Sequence, residues 1–472
     1  MAHVPELRPT RLESWARVIV TVRERWPVGR LLPQGRRPRR VMWLLFFVPL
    51  VYAVAQTWHR FADAFGTKAI RVVVPVGATA VPPVDSPQFR DALASLTHTT
   101  LSPGHQVALL VDGPATMERL EADFRAARRS IAVQTYYCEP GRVSDWLKTL
   151  LMERARAGVS VYFLRDGFGC ASLTRGWVDS VRTAGVRVAT LRPVRWWAMH
   201  ESMHRSHVRI VAVDGQIGYV GGFGFADKWV DHGGEPRWRE TAARFTGPAV
   251  QQLASAFAIS WANATGDLLT GQTLEAAPGA QAGHLDLPAD AAAGVMFTQR
   301  AYGTPVPERF LALALAGART RVYIANSYFV PNRELRQWLV AAARRGVDVR
   351  VLAPGEKIDI AFTHWAGRST YRELLRGGVR VYEYQPAMMH AKTMVIDDSF
   401  VSIGSLNLDN LSLRINDEAV LQVQDRAVAR DMAALFARDL ARSVEMTEAK
   451  LDAQSWFVSL MTGVARLVRD LL

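Results

Sequence analysis

The feature of the sequence that most constrains its fold is an internal duplication. Residues 154–167 (RARAGVSVYFLRDG) correspond to residues 342–355 (AARRGVDVRVLAPG), which lie 188 positions further along the chain. Upstream of this pair, residues 131–137 correspond to residues 322–329, and a third match lies downstream in the same order. Ordered matches of this kind indicate two homologous halves, each of which must form a copy of the same structure.

Each half alternates short runs of β-branched residues with helical segments. The helices in the best-matched segments end at Gly158 and Gly346, which are typical C-terminal caps that lead into a strand. The alternation predicts an α/β fold in which each half forms a mixed or parallel sheet flanked by helices. We expect the halves to span residues 105–269 and 295–445, with the Ala-, Gly- and Pro-rich residues 270–294 as the linker.

The third match contains the candidate catalytic residues. In the second half, His390, Lys392 and Asp397 form the pattern H-x-K-x4-D, and a glycine turn with Ser405 and Asn407 follows. One such pattern is a weak signal, because a single histidine on a strand is usually an ordinary core or surface residue. Its repetition at the matched position of the first half makes it a strong one.

In the first half, His207, Arg209 and Asp214 have the same spacing, with arginine in place of lysine. Gly222 and Gly224 occupy the positions of the serine and the asparagine. The first half therefore offers backbone amides where the second half offers side chains, and glycine allows the backbone to approach a phosphate closely. A degenerate first half with reduced activity is the alternative interpretation.

The paired motifs predict a pocket for a phosphodiester. Positions i and i+2 of a strand point to one face, so each histidine projects together with its cation. A pseudo-twofold arrangement of the halves would then bring together two imidazoles, two cations, and hydroxyl or amide donors. One imidazole can attack phosphorus, the cations can hold the non-bridging oxygens, and the other imidazole can protonate the leaving oxygen. Because the cations supply the positive charge, we expect neither a metal ion nor a cofactor.

With these motifs, the sequence resembles the phospholipase D superfamily and, within it, the bacterial cardiolipin synthases. The resemblance covers about residues 110–445 and extends to the segments 326–331 and 416–418. It implies two phospholipase D-type halves that meet at one active site. It also implies that an acidic residue hydrogen-bonds each catalytic imidazole and fixes its tautomer, and the matching positions are Glu418 and Glu240.

The resemblance implies a membrane-attached phosphatidyltransferase with phosphatidylglycerol as its phospholipid substrate. Such an enzyme forms a phosphatidyl-histidine, releases glycerol, and passes the phosphatidyl group to a second lipid. Family likeness favours His207 as the nucleophile and His390 as the acid, although the richer second-half motif leaves the reverse assignment open. A phospholipase D hydrolase that uses water as acceptor and a superfamily nuclease are the alternatives. The acceptor alcohol and the oligomeric state remain open.

The distribution of charge argues against the nuclease. The formal net charge is +13, and residues 1–40 hold ten Arg and three Glu, so +7 lies on this tail and +6 on the remaining chain. A body this mildly basic lacks the continuous basic face of a nucleic-acid-binding protein. We therefore expect no nucleic-acid partner.

Residues 41–58 contain no charged side chain and follow the basic N-terminal tail of residues 1–40. Their length is close to the ~20 residues that span a bilayer, and a flanking arginine cluster is typical of the cytoplasmic side. We expect a hydrophobic N-terminal helix that spans or anchors to the bacterial cytoplasmic (inner) membrane, with the side of the catalytic domain open. A cleaved signal peptide and a buried or surface-lying helix are the alternatives.

Residues 446–472 predict a C-terminal amphipathic helix, because apolar residues such as Trp456, Leu460 and Leu467 recur at helical spacing. This helix could lie at a lipid interface or pack on the body of the protein.

The chain has two cysteines, Cys138 and Cys170, which excludes a disulfide-rich scaffold. Each follows a predicted strand end in the first half. A disulfide between them and two buried free thiols are both compatible with the sequence.

Overall fold

The computed structural model describes residues 70–75, 80–194, 204–230, 237–270, 287–299 and 305–469. The strands are, in chain order, β1 Ser102–Val111, β2 Ser130–Thr135, β3 Ser160–Asp166, β4 Arg187–Leu191, β5 Ile210–Val213, β6 Ile217–Gly221, β7 Thr241–Thr246, β8 Ala291–Thr298, β9 Arg321–Asn326, β10 Asp348–Pro354, β11 Arg380–Tyr384, β12 Lys392–Ile396, β13 Phe400–Gly404, β14 Glu418–Gln424 and β15 Ser443–Glu445. The helices are α1 Pro87–Thr97, α2 Asp112–Ala126, α3 Arg142–Arg156, α4 Arg175–Thr183, α5 Ala249–Thr265, α6 Val306–Gly317, α7 Arg333–Arg344, α8 Ala361–Arg376, α9 Arg426–Leu440, α10 Glu448–Asp452 and α11 Trp456–Val468.

The strands form one sheet whose order repeats itself about its middle. The order is β15-β11-β10-β9-β12-β13-β14-β8-β1-β7-β6-β5-β2-β3-β4, so β8 and β1 are the central neighbours. Reading outward from β1 gives β7, β6, β5, β2, β3 and β4, and reading outward from β8 gives the equivalent strands seven numbers higher. The predicted duplication is thus visible as two copies of one seven-strand topology, with β15 added at one edge.

The pairing within each copy is mixed, as the sequence predicted. The outer strands β2, β3 and β4 are parallel, and so are β9, β10 and β11. The inner strands pair in antiparallel fashion, including β5 with β2 and β12 with β9. This last pairing matters for function, because it lays the carboxyl ends of β2 and β9 beside the amino ends of β5 and β12.

The two copies pack against each other through a shared hydrophobic core. Val220 and Phe245 of the first half and Val401 and Leu421 of the second belong to one buried cluster, which α5 and α9 complete. Separate clusters bury the first-half sheet under α2, α3 and α4 and the second-half sheet under α6, α7 and α8. Burial of apolar surface on both sides of the strands explains their nearly continuous hydrophobic sequences.

The local signals predicted from the sequence form as expected. Gly158 and Gly346 adopt positive φ angles of 86° and 91° immediately before β3 and β10. Only glycine takes this conformation without steric cost, so each terminates its helix and redirects the chain into the next strand. At helix starts, the side chains of Asn332 and Asp425 accept hydrogen bonds from backbone amides in the first turns of α7 and α9.

The structure differs from the sequence prediction at the linker. β8 begins at Ala291, inside residues 270–294 that were assigned to the linker, and it pairs with both β14 and β1. The predicted N-terminal hydrophobic helix of residues 41–58 lies outside the described residues. Among the residues that are described, none of the helices combines the length and apolar character needed to cross a bilayer.

Candidate active site

The two motif histidines occupy equivalent places, each directly before an inner strand. His207 precedes β5, and His390 precedes β12. Both side chains are buried, as are the motif cations Arg209 and Lys392. The repeated topology therefore brings the predicted imidazoles and cations into one enclosed pocket.

Each imidazole is held by a glutamate from the opposite half. His207 Nδ1 lies 3.0 Å from Glu418 Oε1, and His390 Nδ1 lies 2.6 Å from Glu240 Oε2. An Nδ1–H that donates to a carboxylate leaves Nε2 as the reactive nitrogen. The family resemblance predicted that these glutamates bind the imidazoles. It did not predict that each glutamate binds the imidazole of the other half.

Backbone pairing between the halves enforces this exchange. The amide of His207 donates to the carbonyl of Asp417 at 3.0 Å, and the amide of His390 donates to the carbonyl of Arg239 at 2.7 Å. Each glutamate follows the residue whose carbonyl is used, so the segment before each imidazole is paired with the segment that supplies its carboxylate. Neither half by itself contains a complete histidine–glutamate pair.

The two cations contact the imidazoles directly. Arg209 Nη2 lies 3.3 Å from His207 Nε2, and a second guanidinium nitrogen donates to the carbonyl oxygen of Gly222. Lys392 Nζ lies 3.0 Å from His390 Nε2 and donates to the His390 carbonyl oxygen at 2.7 Å. Lys392 Nζ also lies 3.1 Å from His390 Nδ1, so it lies against the whole imidazole, whereas Arg209 is directed at one reactive nitrogen.

Burial and charge shift every titratable group of this pocket. Burial lowers the pKa of His207 and of His390 well below the usual histidine value, and the neighbouring cations lower both further. Burial also raises the pKa of Glu240 to about 7 and that of Glu418 to about 8, and it lowers the pKa of Lys392 to about 7. Protons can therefore be exchanged within the pocket near neutral pH.

The second-half serine and asparagine support the pocket indirectly. The Ser405 hydroxyl donates to Glu418 Oε2, and it accepts a hydrogen bond from the backbone amide of Ala419 at 3.0 Å. Asn407 Oδ1 accepts a hydrogen bond from Ser327 Oγ at 2.7 Å. Ser405 thus orients the carboxylate that holds His207.

The prediction that Gly222 and Gly224 present backbone amides to a phosphate concerns the direction of those amides, whereas the structure shows how closely both glycines are packed. A Cβ atom at Gly222 would lie 2.6 Å from Glu240 Oε2, and one at Gly224 would lie 2.9 Å from both the Trp229 ring and the Tyr137 carbonyl oxygen. The glycines therefore make room for the carboxylate of Glu240 and for an aromatic wall. They are positions of close packing.

The structure also corrects the assignment of Asp214 and Asp397 to the catalytic group. Each lies at the end of its strand opposite to the histidine, with a positive φ of 54° or 52°. The Asp214 carboxylate accepts hydrogen bonds from the backbone amides of residues 128–130, and Asp397 does the same for residues 319–321. Both aspartates hold the start of a neighbouring strand.

Aromatic side chains that the motif analysis did not single out form the walls of the pocket. The Tyr136 ring lies 5.0 Å from the His207 ring, while the rings of Trp229 and Trp238 lie 5.3 Å and 5.0 Å from that of His390. Tyr136 directly follows β2, and its position was predictable because β2 ends beside the amino end of β5. Trp229 ends a short 3-10 helix, Asp227–Trp229, and Trp238 lies outside the helices and strands, so neither carries a comparable sequence signal.

Cys138 and Cys170 are both buried and free. The Cys170 thiol faces the carbonyl oxygens of Thr135 and Tyr136, and burial together with the neighbouring Cys138 raises its pKa well above the usual thiol value. Of the two possibilities left by the sequence, the structure contains the pair of free thiols.

Comparison with known proteins agrees with this chemistry. The family described as "Cardiolipin synthase, PLD-like domain" matches residues 311–440. Cardiolipin synthase A of Pseudomonas putida (strain W619) is 32% identical over 376 residues, which cover 78% of this chain and 75% of the relative. A probable cardiolipin synthase of Bacillus subtilis (strain 168), YwiE, is 30% identical over 357 residues, which cover 74% of this chain and 69% of the relative.

The fold has a counterpart among solved structures. Phosphatidylserine synthase of Haemophilus influenzae Rd KW20 superposes with a TM-score of 0.63 over 82% of this chain and 100% of its own, although only 14% of the residues are identical. That likeness concerns the fold alone. Taken with the paired histidine motifs and the identity to curated relatives over most of both chains, it leads to one conclusion: the chain belongs to the cardiolipin synthase family of phospholipase D-type phosphatidyltransferases.

Proposed function

We propose that the protein joins two phosphatidylglycerol molecules into cardiolipin and releases glycerol through a phosphatidyl-histidine intermediate. The observation that carries this proposal is the pair of buried imidazoles, each hydrogen-bonded to a glutamate of the opposite half, with a cation against each Nε2. Two imidazoles provide a nucleophile and an acid, and two cations offset the charge that develops on the phosphoryl oxygens.

The contacts favour His207 as the nucleophile. Arg209 is permanently charged and donates toward His207 Nε2, so this nitrogen acts as an acceptor while Nδ1–H faces Glu418. The Nε2 lone pair attacks phosphorus, and the bond between phosphorus and the glycerol oxygen breaks. His390 donates its proton to that oxygen, and glycerol leaves.

In the second step of the reaction, the proton transfer runs in the opposite direction. The headgroup hydroxyl of the second phosphatidylglycerol attacks phosphorus, His390 accepts the hydroxyl proton, and the bond between phosphorus and His207 breaks. Lys392 is a suitable neighbour for the histidine that acts as the acid. Its pKa of about 7 allows it to lose its charge beside His390. The fixed charge of Arg209 opposes protonation of both imidazoles and lies in direct contact with His207.

The decisive experiment is to incubate the purified protein with phosphatidylglycerol alone and to analyse the lipid products. Cardiolipin with an equimolar amount of glycerol is expected. Phosphatidic acid as the sole product would instead identify a hydrolase. Acid quenching with phosphorus-labelled substrate should place the label on the peptide that contains His207, and label on the peptide that contains His390 would reverse the assigned roles.

We propose further that residues 41–58 attach the protein to the bacterial cytoplasmic membrane. The support is the uncharged sequence of this segment and the ten arginines that precede it. A single span with the N-terminus inside would place the catalytic body outside, so a reporter enzyme fused after Leu472 should be active outside the cytoplasm. A reporter that is active only in the cytoplasm would contradict this arrangement.

A further inference from the structure

The last helix, α11, is apolar on two opposite faces. Trp456, Leu460, Gly463 and Leu467 follow one another at spacings of four, three and four residues and therefore form one stripe. A different set of apolar residues faces the protein body. A helix that is apolar on both sides is expected where two different apolar environments meet.

The inner face holds α11 firmly against α8. Ala465 is fully buried beside Val330 and Ala366, and the Phe457 ring packs edge-on against Trp365 with a centroid distance of 6.2 Å. Ser455 caps the helix by accepting a hydrogen bond from the Val458 amide. The helix is thus a built part of the protein whose outer face has a defined direction.

The outer face is exposed to an extent that is unusual for such side chains. Trp456 is 77% exposed, Leu460 54% and Leu467 53%. Contiguous exposed apolar side chains mark an interaction surface, because a soluble protein gains nothing from leaving them in water. We call this stripe the outer face of α11.

Charge identifies the kind of partner that fits. Residues 456–468 contain no carboxylate, and their one charged residue, Arg466, is exposed. Within the part of the chain that the structure describes, no acidic side chain forms an ion pair with Arg466. Tryptophan and leucine beside an exposed arginine are the composition of a helix that lies in the headgroup region of an anionic bilayer.

α11 also packs on chain segments that lead to the catalytic residues, because Ala465 shares a buried cluster with Val330, two residues after Tyr328. The ring of Tyr328 lies 6.5 Å from that of His390, and its hydroxyl donates to Asp359 at 2.8 Å. Asp359 leads into Ile360, which is 48% exposed, and then into α8, on which α11 packs. A surface that met α11 would therefore meet the side of the protein to which Tyr328 and Asp359 connect His390.

We propose that the outer face of α11 docks on the surface of an anionic phospholipid bilayer and thereby directs the catalytic pocket toward lipid headgroups. The proposal rests on the proposed function only in that the same bilayer supplies the substrate. It concerns a contact separate from residues 41–58, because it involves a helix fixed to the catalytic body.

A depth measurement tests the contact itself. A fluorescent label on Leu460→Cys, in the full-length chain with His207→Ala to prevent turnover, should be quenched by nitroxide-bearing lipids in vesicles that contain phosphatidylglycerol. The natural thiols are buried and should not react. A label on Asp431→Cys, an exposed position of α9, serves as the control and should stay unquenched. Absence of quenching at position 460 would overturn the proposal.

An activity measurement separates docking from catalysis. The variant L460D/L467D should lose at least tenfold in turnover of phosphatidylglycerol in vesicles, yet retain turnover of short-chain phosphatidylglycerol dissolved as monomers. The matched control is A427D/A434D, which introduces two charges at the same spacing on the exposed side of α9 and should behave as the unchanged protein.

The possible outcomes are distinct. Unchanged turnover of vesicles by L460D/L467D would overturn the docking role, as would a dimer that this variant dissociates while the label at position 460 stays unquenched. Failure of the unchanged protein to convert either form of phosphatidylglycerol would refute the proposed function, whereas the quenching result would still stand by itself.

Discussion

Arg209 has two roles in the site. Its charge faces the phosphoryl oxygens, and its contact with Nε2 of His207 selects the tautomer of that imidazole. Its guanidinium lies 3.3 Å from His207 Nε2 and also donates to the carbonyl oxygen of Gly222, so its position is fixed from two sides. The residue replaces the lysine that stands at the equivalent position 392. A fixed positive charge keeps His207 neutral and faces the oxygens of the phosphoryl group.

We predict that Arg209→Ala lowers turnover of phosphatidylglycerol by about 10²–10³, the loss typical of one donor to a developing negative charge. Arg209→Lys should retain part of the activity, since the charge remains while the two-sided geometry is lost. Initial rates at saturating substrate measure both effects. An Arg209→Ala protein with an unchanged rate would show that the first half is degenerate.

The two glutamates should be distinguishable by pH. The rate is expected to fall on the acid side when His207 is protonated and on the alkaline side when His390 loses its proton, and both limbs should lie below the usual histidine range because burial lowers both pKa values. Each carboxylate stabilises the imidazolium beside it, so removing its charge should lower the pKa of that histidine. Glu240→Gln should therefore move the alkaline limb to lower pH, and Glu418→Gln should move the acidic limb to lower pH.

The measurement is kcat/KM across pH for the unchanged protein and both variants. If Glu240→Gln moves the acidic limb instead, His390 is the nucleophile. If neither limb moves, the exchanged glutamates do not control the titration of the imidazoles.

Gly222 illustrates why a serine is unfavourable at this position of the first half. A Cβ atom there would lie 2.6 Å from Glu240 Oε2, so Gly222→Ser should displace the carboxylate from His390. We predict a loss of about 10–100-fold in turnover, the scale expected when a catalytic group is misplaced by about 1 Å. Gly176→Ser, where a Cβ would meet no atom within 4 Å, is the control and should be neutral. An active Gly222→Ser protein would mean that the carboxylate can relax.

At the scale of elements, the repeated strand pairs explain why the motif contains an aspartate that does no chemistry. Asp397 ends β12 and accepts hydrogen bonds from the backbone amides of Arg319, Thr320 and Arg321, where β9 begins. Since β9 and β12 are antiparallel neighbours, this contact stabilises their pairing at the end of β12 that lies away from His390.

We predict that Asp397→Ala lowers the free energy of unfolding by about 2–3 kcal/mol, because three backbone donors lose their acceptor at a cost of about 1 kcal/mol each. Turnover per folded molecule should change little. Denaturant titration compares this variant with Asp398→Ala, whose exposed ion pair with Arg321 is expected to contribute at most about 1 kcal/mol. Equal losses in the two variants would contradict the proposed strand-fixing role.

At the scale of the whole molecule, the exchange of glutamates makes the two halves one catalytic unit. His207 depends on Glu418 and His390 depends on Glu240, and both dependencies are met within a single chain. The buried core shared between the halves holds the pocket together. Duplication therefore produced one enclosed active site from two copies of a motif that is incomplete in each.

This arrangement predicts the result of a mixing experiment. His207→Ala and His390→Ala should each abolish synthesis, because the two imidazoles act as a unit. A mixture of the two purified variants should show only the sum of their residual rates, since each chain lacks one member of its own pocket. Recovery of activity on mixing would indicate that halves from different chains combine.

Several features of the fold and site followed from the sequence because they are local or repeated. The strand–helix alternation, the helix ends at Gly158 and Gly346, and the projection of each histidine with its cation depend on neighbouring residues and on strand periodicity. Repetition of the motif then indicated one shared pocket. The family resemblance supplied Glu240 and Glu418 as partners of the imidazoles.

Only the tertiary structure decided which of the two equivalent glutamates binds which histidine. Each glutamate lies nearer in sequence to the histidine of its own half, and only the backbone pairing of Asp417 and Arg239 with the opposite half selects the crossed arrangement. The same packing moved Asp214 and Asp397 away from the chemistry. It also left one apolar face of α11 exposed, because exposure depends on what the rest of the chain covers and cannot be read from periodicity.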